Sequence, residues 1–156
     1  GFNDPTVVVA VHVKDQERYV KQHLYRSHIT NSDLVAFLKQ LFSQNKWPMS
    51  IEIACDSAEP QRIEELRRAG FNTVPANKDI AFGIDMVKRE KLHVDAASVD
   101  LIKEIRAYSY KQTRDGRVLD EPIDMFNHAM DAMRYAIATG SEKARNADRL
   151  TRMIVR

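Results

Sequence analysis

Residues 6–13 read TVVVAVHV, apolar or β-branched throughout except for His12. Such a run has no polar alternation that would leave one face in water, so it is the pattern of a strand buried on both sides of a sheet. A strand of that kind needs cover above and below it, and the rest of the chain supplies helices. The segment Lys14-Asp15-Gln16-Glu17 is polar and reads as a turn, and 18–26 (RYVKQHLYR) reads as a second strand, so the two make a hairpin.

Helix caps Thr30, Asn31, Ser32 and Asp33 precede Leu34, Phe37, Leu38 and Leu41 at helical spacing, and Trp47-Pro48 ends that helix. A short strand, 50–55 (SIEIAC), runs into Asp56. Pro60 opens the next helix and Gly70 closes it, the usual order of the two residues. Further expected elements are a strand at 71–75, helices at 80–90 and 98–108, and a small strand at 92–94. A hairpin follows over 108–118 with Asp115-Gly116 as its turn, then a helix from 124 to 139 ended by Gly140. Residues 141–156 read as a basic amphipathic tail appended to a domain of residues 1–140. The order ββαβαβ followed by helices predicts an α/β fold, one mixed sheet covered by helices.

Bulk properties bound the function without fixing it. The 156 residues suit one domain; 44% are hydrophobic and 29% charged, an ordinary globular balance. No apolar run approaches the roughly 18 residues a membrane span needs, so no membrane association is expected. Cys55 is the only cysteine, which rules out an intrachain disulfide and suits a reducing cytoplasm. Net charge is +2, too small to argue for nucleic-acid binding by itself, so any such binding has to come from a local patch.

Three places carry candidate chemistry. Asp56 lies beyond the carboxyl end of SIEIAC, where ligands of open α/β sheets gather, although an acid there also serves as a cap for the following turn. In DMFNHAMDAMRYA, residues Asp124, His128, Asp131 and Tyr135 fall along one helix face, while Met125, Ala129, Ala132, Met133 and Ala136 form an apolar face. Asp124 suits an N-cap. His128 and Asp131 sit mid-helix among Met and Ala, where an acid is costly unless paired or metal-bound. The third place is basic: Lys78 after a strand, Arg62, Arg67 and Arg68 on one helix, and Lys143, Arg145, Arg149, Arg152 and Arg156 in the tail. Scattered cations are by default a solvated face; the tail alone is dense enough to suggest phosphate contact. A strand-end acid together with a His-x-x-Asp helix suits two-metal phosphodiester cleavage, in which carboxylates converge on ions about 3.5–4 Å apart. Mg²⁺ prefers oxygen ligands, whereas Mn²⁺ also accepts an imidazole such as that of His128. If the acids cluster without metal, Asp131→Asn is expected to stabilise the chain slightly by relieving like-charge repulsion.

At these residues the chain resembles a known family. The opening GFNDPT, then CDSAEPQRIEELRRAGF, PANKDIAFGIDMVKREKLHVD and EPIDMFNHAMDAMRYA are similar, in order, to the nuclease domain of tailed-bacteriophage large terminases. The likeness runs from Gly1 to about Gly140, with NHAMDAMRY its most specific part. It implies a ribonuclease H-like mixed sheet flanked by helices, and cleavage of concatemeric double-stranded viral DNA during packaging with Mg²⁺ or Mn²⁺, two ions in all. By the same resemblance Asp56 matches the strand-end acid, Asp131 the helix acid, and His128 a histidine near the metals in some members. Lys78, Arg145 and Arg149 are the candidate DNA contacts. The family pattern places a further strand, with another acid, before the Gly-Phe, and that strand is not part of this sequence. The phosphate-binding pattern GxxxxGK[ST] of the packaging ATPase, which in the family sits on the same chain, is also not found. Portal protein and small terminase subunit are the implied partners, in the host cytoplasm. The alternatives are another ribonuclease H-like nuclease of resolvase or integrase type, and a non-catalytic module binding DNA or portal.

Overall fold

The computed structural model describes residues 3–108, 110–122, 127–140 and 149–155. Strand β1 (Thr6–Lys14) and strand β2 (Glu17–Arg26) pair antiparallel through a tight turn in which Asp15 and Gln16 both take positive φ. Helix α1 (Asn31–Asn45) starts at a capping box: Thr30 accepts from the Asp33 backbone N–H, and Asp33 reaches back to Thr30. It ends in a left-handed Lys46, after which Trp47 folds back edge-on against Phe42.

Strand β3 (Glu52–Cys55), helix α2 (Pro60–Arg68) and strand β4 (Asn72–Pro75) form a parallel βαβ unit. Gly70, at φ +97°, makes the turn out of α2. Helix α3 (Ile80–Arg89), strand β5 (Leu92–Val94) and helix α4 (Val99–Ala107) follow, with β5 parallel to β2. A separate hairpin joins β6 (Tyr110–Gln112) to β7 (Val118–Pro122) around Gly116. Helix α5 (His128–Gly140) and strand β8 (Arg149–Val155) complete the described elements. The main sheet has the order β4-β3-β8-β1-β2-β5.

The core has two layers, and the continuous apolar run in β1 explains why. Val7, Val9 and Val11 face one cluster with Leu101 of α4 and Ala129, Met133 and Ile137 of α5. Val8 and Ala10 face the other, with Leu34 and Leu38 of α1 and Ile63 and Leu66 of α2. Successive strand residues point to opposite faces, so burial on both sides requires apolar residues at every position.

One expectation fails in an informative way. Residues 149–155 are not an appended amphipathic tail: they form β8, antiparallel to β1 and parallel to β3 in the middle of the sheet. Ile154 and Val155 are fully buried, one in each core layer. The arginines of RLTRMIV mask a strand whose ladder partners lie about a hundred residues or more away. The predicted N-cap Asp124 and apolar Met125 fall outside the described residues, as do Lys143, Arg145 and Arg156.

Candidate functional site

Because β3, β4 and β8 run parallel, their carboxyl ends emerge at one edge of the sheet, and the amino end of antiparallel β1 arrives there too. Helix α5 begins at the same edge. The result is an open cleft of about 220 Å³, lined among others by Asp4, Thr6, Asp56, Glu59, Arg62 and His128. Asp56 is tied to the sheet by its backbone N–H, which donates to Val155 O at 3.2 Å. The strand-end acid and the helix histidine, 72 positions apart in the chain, thus share one cavity.

The Asp56 carboxylate has two roles at once. Its Oδ1 accepts from the Ala58 backbone N–H at 2.9 Å, the local cap, and from Lys78 Nζ at 2.7 Å. Lys78 is placed by the connection from β4 to α3. There Asn77 N–H donates to Thr139 Oγ1 at 3.0 Å, Asp79 N–H donates to Asn77 Oδ1, and Asp79 caps α3 through the Phe82 N–H. The neighbouring Cys55 is buried, and desolvation pushes its thiol up to about 12. It is therefore a packing residue and not a nucleophile.

Asp131 lies one turn beyond His128, but not on an open polar stripe. Helix α5 is buried on almost all sides, Tyr135 included, because the sheet covers one flank and α3 packs along another. Asp131 accepts from Arg134 Nη2 at 2.8 Å, both side chains about nine-tenths buried, and Arg134 Nη1 donates to Asp79 O at 3.3 Å. Gly83 of α3 makes the room: a Cβ there would lie 2.5 Å from Arg134 Cγ and 2.9 Å from its Cδ. The partnered Asp131 reverses the expectation for Asp131→Asn, which now removes the charge that compensates a buried arginine.

Two further residues, Arg134 and Glu104, were not singled out by sequence, and Arg62 was named there only among scattered cations. Arg62, assigned by default to the solvated face, is buried beside the cleft, paired with Glu59 at 3.0 Å and donating to Asn31 Oδ1 at 3.1 Å. Arg67 and Arg68 do fit that default, both pairing with Glu64 in the open. Arg134 carries a sequence signal, the i,i+3 spacing from Asp131. Glu104 carries none. It is a buried carboxylate on α4 that accepts the Ala129 and Met130 backbone N–H groups at 2.7 and 2.9 Å and the Tyr25 hydroxyl at 3.0 Å. Those N–H groups are orphan donors of the first turn of α5, so Glu104 seats the helix that carries His128 and Asp131. Arg149, first residue of β8, pairs opposite Val13, at the end of the sheet away from the cleft.

Asp56, His128 and Asp131 are donors of the right chemical kind for Mg²⁺ or Mn²⁺. As arranged they do not form a ready cage. Among the described residues no three His, Cys, Asp or Glu side chains stand close enough to hold one ion, and both aspartates are engaged by protein cations. No helix among the described residues is long and apolar enough to cross a membrane.

The family model for the terminase RNase H-like domain matches residues 3–139. The large subunit of the PBSX phage terminase of Bacillus subtilis (strain 168) is 22% identical over 144 residues, which cover 88% of this chain and 32% of that protein. The chain thus spans about a third of the length of that relative. The nuclease domain of the large terminase g2p of bacteriophage SPP1, solved with bound Mn, superposes with a TM-score of 0.69 at 21% identity, covering 86% of this chain and 78% of that one. The large terminase of a thermophilic bacteriophage gives a TM-score of 0.75 at 20% identity, covering 89% of this chain and 38% of that one.

Proposed function

The chain belongs to the terminase RNase H-like domain family, and from that premise we propose that it is a divalent-metal-dependent endonuclease cutting concatemeric double-stranded viral DNA during genome packaging. The observation that carries this reading is the convergence of Asp56 and His128 on one cleft at the strand carboxyl ends, with Asp131 one helical turn further on. We assign Asp56 and Asp131 as acidic metal ligands and His128 as a ligand or proton-transfer group, with Mg²⁺ or Mn²⁺ as the metal, two ions in all. The proposed nuclease domain runs past the expected boundary at residue 140, because β8 (Arg149–Val155) lies in the middle of its sheet. Lys78 at the cleft is the best placed of the proposed DNA contacts and Arg145 is another, whereas Arg149, at the end of β8 far from the cleft, would meet only DNA that extends along the sheet. Portal protein, a small terminase subunit and a packaging ATPase domain are the proposed partners, and the host cytoplasm the proposed place of action. The match to the terminase family takes precedence over the resolvase or integrase alternative.

The chain's own residues have definable tasks. Glu104 fixes the first turn of α5, the Val155 carbonyl fixes the Asp56 backbone, and Arg134 fixes Asp131. The buried Arg62, paired with Glu59, adds a cation to a cleft that also presents Asp4, Asp56 and His128, a fit to a phosphodiester approaching from solvent.

Supercoiled plasmid incubated with the chain in Mn²⁺ is expected to be nicked and linearised, with cutting abolished by chelator and by Asp131→Ala. Cutting by Asp131→Ala at the wild-type rate would refute the assignment. The absence of a preformed three-donor cage among the described residues favours a second reading, a non-catalytic module that binds DNA or portal. DNA binding that persists in chelator, with no cleavage in any metal, would select it.

A further inference from the structure

The two acids of the site are neutralised in different ways by one short segment. Lys78 and Asp79 are adjacent on the connection from β4 to α3. Lys78 pairs directly with Asp56, and the Asp79 carbonyl holds the arginine that pairs with Asp131. The backbone of this segment is anchored at both ends, by Asn77 to Thr139 and by the Asp79 cap of α3.

The pairs differ in how readily they open. Arg134 and Asp131 are 8% and 12% exposed, and the arginine stem lies in the notch left by Gly83, so it cannot leave without repacking α3 against α5. Lys78 is 40% exposed while its partner Asp56 is only 14% exposed. A lysine is a compact charge on a flexible stem, so its ammonium can swing into water without any backbone change. A carboxylate as buried as that of Asp56 still needs a counter-charge when it does. On the nuclease reading, a divalent cation would supply one.

We infer that Lys78 is the internal counter-ion of Asp56, and that a divalent metal entering the cleft has to displace it. This rests on the nuclease reading and deepens it: the metal-free chain is held by a lysine where the working enzyme holds an ion, and loading is an exchange of cations. Once displaced, the ammonium stays at the rim of the cleft, where a phosphate backbone would run.

Mn²⁺ binding to the 156-residue chain, followed by loss of the free-ion electron paramagnetic resonance signal in the absence of DNA, tests this without any need for cleavage. Lys78→Met keeps the stem and removes the charge, and is expected to bind Mn²⁺ about fivefold tighter than wild type, the scale of a partly exposed ion pair. Lys78→Arg is expected to bind no tighter than wild type. Lys88→Met, in the last turn of α3, controls for general charge and should change affinity far less. Binding by Lys78→Met equal to or weaker than wild type, with binding lost in Asp56→Ala, overturns the exchange and leaves the metal reading standing. Binding insensitive to Asp56→Ala, or absent from every variant, overturns the metal reading at Asp56 and the exchange with it.

Discussion

Gly83→Ala should destabilise this chain, although it replaces a helical glycine with the best helix former. In α3 the substitution taken alone favours folding by about 1 kcal/mol. Against that, the new Cβ would lie 2.5 Å from Arg134 Cγ, 2.9 Å from Cδ and 3.4 Å from Nη1. The two closest atoms belong to the middle of the side chain, so relief requires the whole guanidinium to move. That movement pulls Nη2 away from the buried Asp131 Oδ1, now 2.8 Å distant. Breaking a buried pair costs about 3–5 kcal/mol, so the net loss is about 2–4 kcal/mol. For a chain of this length it corresponds to a fall in Tm of roughly 5–15 °C. The decisive comparison is the background Asp131→Ala/Arg134→Ala, which empties the notch and leaves no orphan charge. There Gly83→Ala should stabilise by about 1 kcal/mol. Urea unfolding of the four proteins of the cycle measures both effects. Equal destabilisation in the two backgrounds, or stabilisation in the wild type, would refute the argument that Gly83 exists to admit Arg134.

Asp131→Asn keeps an acceptor for Arg134 but removes its compensating charge, and is expected to lower stability in chelator by about 1–3 kcal/mol; a Tm at or above wild type would restore the like-charge picture. Glu104→Ala strands the first N–H groups of α5 and the Tyr25 hydroxyl. It should cost about 3 kcal/mol, with Glu104→Gln costing clearly less, and thermal melts that rank the two the other way would count against Glu104 as the anchor of that helix. His23, edge-on to Trp47, is held below the ordinary histidine range by burial and then by Lys21, with Asp95 opposing. Its folded pKa is therefore the lower one: the unfolded chain takes up a proton, near pH about 6.5, that the folded chain refuses, so this contribution weakens stability as pH falls. Between about pH 7.5 and 5.5, a window that brackets that unfolded value, His23→Gln should lose less Tm than wild type does; equal losses would assign the acid sensitivity elsewhere.

Much of the fold was legible because local pattern and tertiary environment agree. The unbroken apolar run of β1 demands cover on both faces, the Thr30–Asp33 capping box starts α1 where it should, and Pro60 and Gly70 bracket α2. Asp56 and His128 stood out for the same kind of reason, one at a strand end and the other with Asp131 on an otherwise apolar helix. What stayed hidden depends on partners distant along the chain. Residues 149–155 look like a basic tail until β1 and β3 offer a ladder between them, and backbone pairing is indifferent to the side chains that made the segment look amphipathic. Asp131 stood out as an acid in need of a partner or a metal, but which partner was hidden until α3 brought a glycine notch beside it and fixed Arg134 there. Glu104 and Lys78 acquire their roles across 25 and 22 positions of chain, a range over which periodicity carries no information. Local pattern thus set the elements and the kinds of chemistry on offer. Which charges meet was left to the packing of those elements, because a buried charge is compensated by whatever the fold brings within hydrogen-bond reach, however far away it lies in the chain.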